Sequence, residues 1–268
     1  MEKAGLKDRK FMIAVVSAAV LAFVIAGMVY ALAGRNNGSA KSEGRDADNK
    51  ASEEESSSSD GITVTRSPEL IEAENKELLE VYKAMREDNP DFAGYLRVPG
   101  TMLEYPVMYT PYDPEKYLHM DINGNPSDDG LPFIDRRCEV TPDSDNIIIY
   151  GHNMKDGSMF ASLMSYQNKK YYKEHPIIRY DTVDEIREYE VMSAFYDKVY
   201  YEDEDVFKFY NFINAENKDD FDSNVKQYLK KSVYDTGVKA EYGDKLITLV
   251  TCAYHTENGR FVVVARRK

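Results

Sequence analysis

Cys252 is the residue of this sequence best suited to covalent chemistry. It follows the apolar run LITLVT (246–251) and precedes the polar segment AYHTENG (253–259), so we expect it at the end of a strand. A thiolate in that position can act as a nucleophile. Free cysteine is also among the most frequently buried residue types, so the local sequence leaves a nucleophile and a buried structural thiol as open alternatives.

His152 is the best candidate for an acid or base. It lies in NIIIYGHNM (146–154), where an apolar strand ends and Gly151 permits a turn. Imidazole titrates near neutral pH and can transfer protons, although a hydrogen-bonded loop histidine would fit the same sequence. The other histidines lie in polar surroundings typical of loops or surface, and we rank them lower: His119, His175 and His255.

Arg260 opens the last apolar run, RFVVVA (260–265), seven residues after the end of the cysteine strand. If the two strands pair antiparallel, Cys252 and Arg260 lie at one rim. A guanidinium there can stabilise an oxyanion, although an isolated arginine at a strand start is more often a solvated charge. A thiol, an imidazole and a guanidinium together are suited to acyl transfer.

Other chemistries have weak support in the sequence. Two cysteines exclude a disulfide scaffold and a four-cysteine zinc site, but allow one disulfide. No histidine pair has metal-ligand spacing and no glycine-rich phosphate loop is present, so we expect neither a metal nor a cofactor. The acidic runs EDED (202–205) and KDD (218–220) lack the spaced ligands of a calcium loop and are typical of solvated surface.

Composition limits the class of protein. The chain has 268 residues, 43% of them hydrophobic, with 34 basic and 47 acidic side chains and a net charge of −13. This composition is normal for a globular protein, and the acidic balance argues against nucleic-acid binding. The length allows one large domain or two small ones.

The N-terminal quarter is predicted to be an anchor and a spacer. Residues 11–33 contain no charge and are long enough to span a membrane, and the basic residues in 1–10 place the N-terminus in the cytoplasm. A cleaved signal peptide is the alternative, since Ala31-Leu32-Ala33 resembles a cleavage site. Residues 34–66 are rich in serine and acid and predict a disordered linker.

The folded part is predicted over Ser67–Lys268. Ser67-Pro68 predicts a helix start and Asn89-Pro90 its end, and a second helix is predicted over Lys218–Lys231. Short apolar runs broken by turn residues predict eight strands and a closed or nearly closed β-barrel. The strands are expected at Phe92–Val98, Tyr105–Met108, Leu131–Ile134, Asn146–Tyr150, Ile177–Tyr180, Glu188–Tyr196, Lys245–Thr251 and Arg260–Ala265.

Three of these segments resemble the signature motifs of sortases. TLVTC (248–252) is similar to the sortase cysteine motif, YGHNMKDGSMF (150–160) to the histidine segment and NGRFVVVARR (258–267) to the arginine segment. Within the family the chain most resembles class B. This rests on the wording around His152, on KYYKEHPIIRYDT (170–182) and on the helix-bearing insertion Phe207–Thr236.

The resemblance implies a mainly β, sortase-type barrel and a cysteine transpeptidase outside the membrane of a Gram-positive bacterium. It makes Cys252 the nucleophile, His152 the acid/base and Arg260 the stabiliser of the substrate carbonyl, and it assigns substrate binding to Val250, Thr251 and Ala253. Many class B members carry Ser where this chain has Val250, which affects the expected substrate motif. Cys138 matches no motif and is interpreted as a structural thiol, without a disulfide to Cys252.

The implied partners are surface proteins with a C-terminal sorting signal, cleaved after Thr, and an amine of peptidoglycan. A pilin lysine as acceptor is the alternative within the family, and the sequence leaves the sorting motif, the acceptor and the oligomeric state open. A secreted cysteine peptidase is less consistent, because such enzymes usually place Cys before His, whereas here His152 precedes Cys252. A non-catalytic tethered binding module would not require the three residues at strand ends.

Overall fold

A computed structural model describes residues Ser67–Lys268. The predicted cytoplasmic tail (1–10), membrane segment (11–33) and linker (34–66) lie outside the described residues. Within Ser67–Lys268, none of the helices combines the length and apolar character required to cross a bilayer.

Eight strands of the described part form a closed barrel in the order β1-β2-β3-β4-β7-β8-β6-β5. This confirms the predicted mainly β fold and all eight predicted strands, with shifts of a few residues at their ends. The strands are β1 Phe92–Arg97, β2 Glu104–Met108, β3 Phe133–Ile134, β4 Asn146–Tyr150, β5 Ile177–Asp181, β6 Glu188–Lys198, β7 Leu246–Cys252 and β8 Gly259–Arg267.

Strand β7 is the central element for the site. It pairs in parallel with β4 and antiparallel with β8. Because it is hydrogen-bonded on both edges and buried on both faces, its sequence is an almost continuous apolar run rather than an alternation. Every residue of β7 before Cys252 is buried, so the cysteine is the first position of the strand that reaches the surface.

Helix α1 (Pro68–Asp88) covers one side of the barrel. The Ser67 hydroxyl accepts a hydrogen bond from the Leu70 N–H at 3.3 Å and caps the helix. Tyr82 is buried, stacks on Tyr95 of β1 with ring centroids 5.5 Å apart, and donates its hydroxyl to Asp181 at 3.3 Å. These contacts fix the position of the helix end near Asn89.

The other helices lie in the connections. Helix α3 (Lys218–Lys231) was predicted with these bounds and buries Phe221, Val225 and Tyr228, packing against β6. Helix α2 (Lys169–Glu174) and the 3-10 helix Phe160–Gln167 were not predicted. Both are too short to show an apolar period of 3.6 residues, which is the signal that sequence patterns provide. Two further 3-10 turns span Lys116–Leu118 and Phe209–Asn211.

Candidate active site

Cys252 and Arg260 lie directly opposite each other where β7 ends and β8 begins. Side chains at opposite positions of an antiparallel pair project to the same face, with Cβ atoms about 5 Å apart. Both residues are partly exposed, whereas most of their neighbours in the two strands are buried. The ladder therefore brings the predicted thiol and guanidinium together at the rim of the barrel.

The Arg260 guanidinium is held by its own loop. Nη1 donates to the carbonyl oxygens of Asn258, at 3.2 Å, and Gly259, at 3.0 Å. These bonds use one of the three nitrogens, and a guanidinium has five N–H donors in all. The N–H groups of Nε and Nη2 are thus the ones suited to an oxygen bound at Cys252.

Gly259 permits the tight connection between the two strands. A Cβ at this position would lie 2.1 Å from the Ala253 carbonyl oxygen and 2.9 Å from the His255 ring. Asn258, before it, has a positive φ of 54°, which asparagine tolerates better than most residues. The short loop therefore depends on the residue types at both positions.

His152 reaches the same rim from strand β4. Tyr150 pairs with Val250 in the parallel ladder, so His152 and Cys252 each follow this pair by two residues. The Gly151 N–H donates to the Val250 carbonyl at 3.1 Å, and the Thr251 hydroxyl donates to the Gly151 carbonyl at 2.8 Å. The histidine segment is thus bonded to the cysteine strand immediately before both residues.

Asn153 adds a bond at the nucleophile itself, because its Nδ2 donates to the Cys252 carbonyl oxygen at 2.7 Å. On the other side of the segment, the Phe160 N–H donates to the His152 carbonyl at 2.8 Å. Phe160 also requires a glycine at 151, since a Cβ there would lie 2.6 Å from its ring. The backbone on both sides of His152 is therefore fixed.

The imidazole of His152 has two contacts with the segment before β3. Its Nε2 lies 2.8 Å from the Leu118 carbonyl oxygen, and because a carbonyl only accepts, Nε2 carries the proton. The ring of His119 lies against it, with centroids 5.8 Å apart and planes 28° apart. Nδ1 is consequently the nitrogen left for proton transfer.

Residues 117–131 are anchored to the end of α1. The Asn89 Nδ2 donates to the Tyr117 hydroxyl and to the Ile122 carbonyl, both at 2.9 Å, and the Tyr117 hydroxyl donates to Asp91 at 3.0 Å. Gly130, at φ +56°, allows the segment to close on itself, because a Cβ there would lie 2.5 Å from the Leu118 carbonyl oxygen. The position of that oxygen is thus set by contacts outside the barrel.

The three predicted substrate-binding residues are buried. Val250 and Thr251 are each 1% exposed and Ala253 is 2% exposed, so their side chains contribute to packing here, and their role in substrate binding stays a prediction. The Ala253 N–H was the expected second oxyanion donor, but it donates to the Gly259 carbonyl at 3.0 Å. That expectation was wrong, because the tight loop already uses the group.

Cys138 differs from Cys252 in every respect that matters for reactivity. Both cysteines are free, as predicted, but Cys138 is only 1% exposed. Its sulfur accepts from the Ile148 N–H at 3.5 Å, and burial raises the pKa of the thiol to about 12. A thiol of this kind is inert at neutral pH, which agrees with the structural role predicted for it.

His119 is the site residue that sequence analysis ranked too low. It is exposed, as its polar surroundings indicated, yet its ring contacts His152. Only a long-range contact joins the two residues, so no local pattern could reveal it. The remaining histidines lie elsewhere: His175 packs on Tyr171, and His255 packs edge-on against Tyr196 with centroids 4.8 Å apart.

Two other features of the described part lie away from this rim. A groove of about 1140 Å³ runs between α3 and residues 232–242, and its lining includes neither Cys252, His152 nor Arg260. Ser67–Lys268 contains no group of three or more His, Cys, Asp or Glu side chains arranged to hold a metal ion.

Comparison with known proteins identifies this site. Residues 96–268 match the family model of the sortase domain. Sortase B of Listeria monocytogenes is 33% identical over 193 residues, covering 70% of this chain and 74% of that protein, and sortase B of Staphylococcus aureus is 31% identical over 191 residues, covering 69% and 73%.

Solved structures agree with these matches. A mutant form of Clostridium perfringens sortase B superposes with a TM-score of 0.66 at 27% identity, covering 75% of this chain and 93% of that one. The Staphylococcus aureus sortase B–substrate complex gives a TM-score of 0.63 at 27% identity, covering 75% and 94%. The chain therefore belongs to the sortase family. It is a class B member and a cysteine transpeptidase, as the sequence motifs predicted.

Proposed function

We propose that Cys252, His152 and Arg260 carry out transpeptidation on a C-terminal sorting signal. The observation that carries the proposal is the placement of all three at one rim: Arg260 opposite Cys252 in the β7–β8 ladder, and the His152 segment bonded to the Cys252 carbonyl through Asn153. A nucleophile, a proton carrier and an anion stabiliser in one place are the groups that acyl transfer requires.

In the first half-reaction the Cys252 thiolate attacks the carbonyl carbon of the signal's Thr. The electron pair moves to the carbonyl oxygen, and the free N–H groups of Arg260 stabilise the oxyanion. The carbon–nitrogen bond then breaks, and the His152 imidazolium gives the Nδ1 proton to the leaving amine. The Leu118 carbonyl stabilises that imidazolium by accepting from Nε2–H. The product is a thioacyl-enzyme.

In the second half-reaction a neutral amine attacks the thioester. His152 accepts a proton from the amine, the carbon–sulfur bond breaks and the thiolate leaves. Thiolate and imidazolium must be present together at the start, so we expect a bell-shaped pH profile of the rate. Sortase B of Staphylococcus aureus has been solved with substrate and with triglycine, which supports a peptide signal and an amine as the two substrates here.

We place this reaction at the cell surface, where the product is a protein joined to a peptidoglycan amine. The basis is residues 11–33, which are uncharged and long enough to span a bilayer as a single anchor, with the N-terminus in the cytoplasm and the catalytic domain outside. The acidic linker 34–66 would hold the domain on the order of 30 Å from the membrane.

The test is acyl-enzyme formation by the full-length protein in mild detergent. It is mixed with sorting-signal peptides (NPxTN-like, LPxTG-like and PPxTG-like) and a small amine, and intact masses are measured for the wild type, Cys252→Ala and Cys138→Ala. We expect an adduct on the wild type and on Cys138→Ala, released by the amine as a new amide, and none on Cys252→Ala.

Two results would contradict the proposal. An adduct on Cys252→Ala would mean that another group is the nucleophile. Release of the peptide only as the free acid, whatever the amine concentration, would indicate a peptidase instead. Replacing the small amine by a lysine peptide or by a peptidoglycan-stem amine then separates pilus assembly from wall anchoring.

A further inference from the structure

The proposed mechanism assigns no role to His119, although its ring is in contact with the proposed acid/base. The two imidazoles lie with centroids 5.8 Å apart and planes 28° apart. Stacked ring pairs at this separation are attractive and restrict rotation of both side chains. His152 is partly exposed, so without such a neighbour one face of its ring would be free to turn toward solvent.

His119 and Leu118 act on different parts of the same imidazole. The Leu118 carbonyl holds Nε2 at 2.8 Å, which fixes an edge of the ring and its tautomer. A single hydrogen bond leaves rotation about the N···O direction free. The flat His119 ring supplies the missing constraint by covering a face. Adjacent residues of one segment therefore define both the position and the plane of the His152 ring.

The segment is rigid enough to perform this role. The Ser127 N–H donates to the His119 carbonyl at 3.0 Å, and the Leu131 N–H donates to the Tyr117 carbonyl at 2.9 Å. Tyr117 is 1% exposed and bonded to Asp91. The backbone at His119 is thus tied on both sides although its side chain is exposed.

We propose that His119 is a positioning residue that holds the plane of the His152 imidazole so that Nδ1 remains directed at the reacting groups. This inference rests on the proposed role of His152. His119 acts through its flat ring, in contact with His152 and not with the substrate, so its removal lowers kcat and leaves KM nearly unchanged.

The experiment compares three variants of the full-length protein in detergent, with the peptide that forms an adduct on the wild type. His119→Ala removes the ring, and His119→Phe keeps a flat ring without its nitrogens. His175→Phe is the matched control, because His175 also packs on an aromatic ring, that of Tyr171 at 4.6 Å, but away from Cys252. Single-turnover acylation, kcat, KM and melting temperature are measured for each.

We expect His119→Ala to lower kcat about two- to tenfold, the range that a stacking contact of this kind represents. His119→Phe should restore at least half of the wild-type kcat, and His175→Phe should leave kcat unchanged. An unchanged kcat in His119→Ala would overturn the inference. So would a His119→Phe variant as slow as His119→Ala, because a flat ring would then be insufficient.

A second measurement does not depend on turnover. The chain has only four histidines, so selective ¹⁵N-histidine labelling resolves the His152 ring nitrogens. We expect the Nε2–H tautomer for neutral His152 in the wild type and in His119→Phe, and a tautomer mixture in His119→Ala. A pure Nε2–H signal in His119→Ala would show that Leu118 alone orders the ring and would overturn the inference.

These readouts separate the inference from the proposed function. If the wild type forms no thioacyl-enzyme while its His152 signals respond to His119 as described, the proposed function fails and the ring contact stands. If Cys252 is acylated and neither kcat nor the tautomer depends on His119, the proposed function stands and the positioning role fails.

Discussion

The cysteine side and the histidine side of the site are positioned by different means. Cys252 ends a strand that is paired on both edges, and its partner Arg260 is set by the same ladder. His152 lies beyond the last pair of β4. Its backbone is held by bonds to Val250, Thr251 and Phe160, and its ring by the Leu118 carbonyl and the His119 ring.

The difference separates a group that needs a fixed backbone from one that needs a fixed ring. A thiol has one χ angle before its sulfur, so a strand end is sufficient to place it. An imidazole must present one particular nitrogen, which backbone pairing alone does not select. The histidine side is therefore sensitive to contacts far from the barrel, including those at the end of α1.

Arg260→Ala should produce the largest effect on the ladder side among residues other than the nucleophile. If the guanidinium stabilises the oxyanion, its loss should lower kcat by about 10²–10³-fold. The matched variant is Arg266→Ala on the same strand, whose guanidinium pairs with Glu190 at 3.3 Å, and it should retain wild-type kcat. Single-turnover acylation is the measurement, and a near wild-type rate for Arg260→Ala would remove its assigned role.

Asn89→Ala tests the histidine side at its most distant support. Loss of the bonds to Tyr117 and Ile122 should release the 117–131 segment, and misplacing the His152 ring should lower kcat about threefold to tenfold. We also expect a loss of about 1–2 kcal/mol in the free energy of unfolding.

The control for Asn89→Ala is Asn224→Ala on α3. Asn224 also makes two hydrogen bonds through Nδ2, to the backbone and side chain of Asp220 at 2.9 and 3.0 Å. It should change stability without changing kcat. Equal kcat in the two variants would show that the histidine ring does not depend on α1.

Thr251→Val tests the junction of the two sides. Its buried hydroxyl donates to the Gly151 carbonyl at 2.8 Å, and valine keeps the shape but not the donor. We expect a loss of about 1 kcal/mol in stability and a two- to fivefold lower kcat. Thr248→Val is the control, since Thr248 donates to the Asn146 side chain at 2.8 Å on the same strand. If both variants retain full kcat, the Thr251 hydroxyl serves stability alone.

The same division explains what the sequence could predict. Strands β4, β7 and β8 were predicted because each is an apolar run ending in turn residues, and that pattern also placed Cys252 and Arg260 at one rim. The position of His152 followed from Tyr150 and Gly151 for the same reason. These are consequences of burial on both faces of a strand, which is written into consecutive residues.

The contacts of the His152 ring could not be predicted in this way. Leu118 and His119 are 34 and 33 residues earlier in the chain, in a segment without periodic apolar residues, and they reach the ring only because Asn89 and Tyr117 fold that segment back. The use of the Ala253 N–H was also missed, because a sequence shows the length of a loop but not its internal hydrogen bonds.

Asp135→Asn should have the smallest effect and marks where the histidine side begins. Asp135 is buried and accepts from Arg137 and from the Tyr150 hydroxyl at 2.9 Å. Burial alone would raise the pKa of this carboxyl, but the hydrogen bonds from Arg137 hold it below its ordinary value. A lowered pKa in the folded state means that the carboxylate stabilises the fold above its unfolded pKa, and that this contribution is lost as the pH falls.

At pH 7 we therefore expect Asp135→Asn to melt roughly 2–4 °C below the wild type, for an interaction of about 1 kcal/mol. The gap should close between about pH 5 and pH 2, as the wild type loses the contribution that the variant lacks. Glu139→Gln, an exposed neighbour with the same change of charge, should show no such convergence. The kcat should stay within twofold, because the backbone of Tyr150 remains paired with Phe133 and Val250. A larger loss of kcat would mean that the histidine side extends back into β4, and that the strand ladder does not isolate the imidazole from changes in the barrel wall.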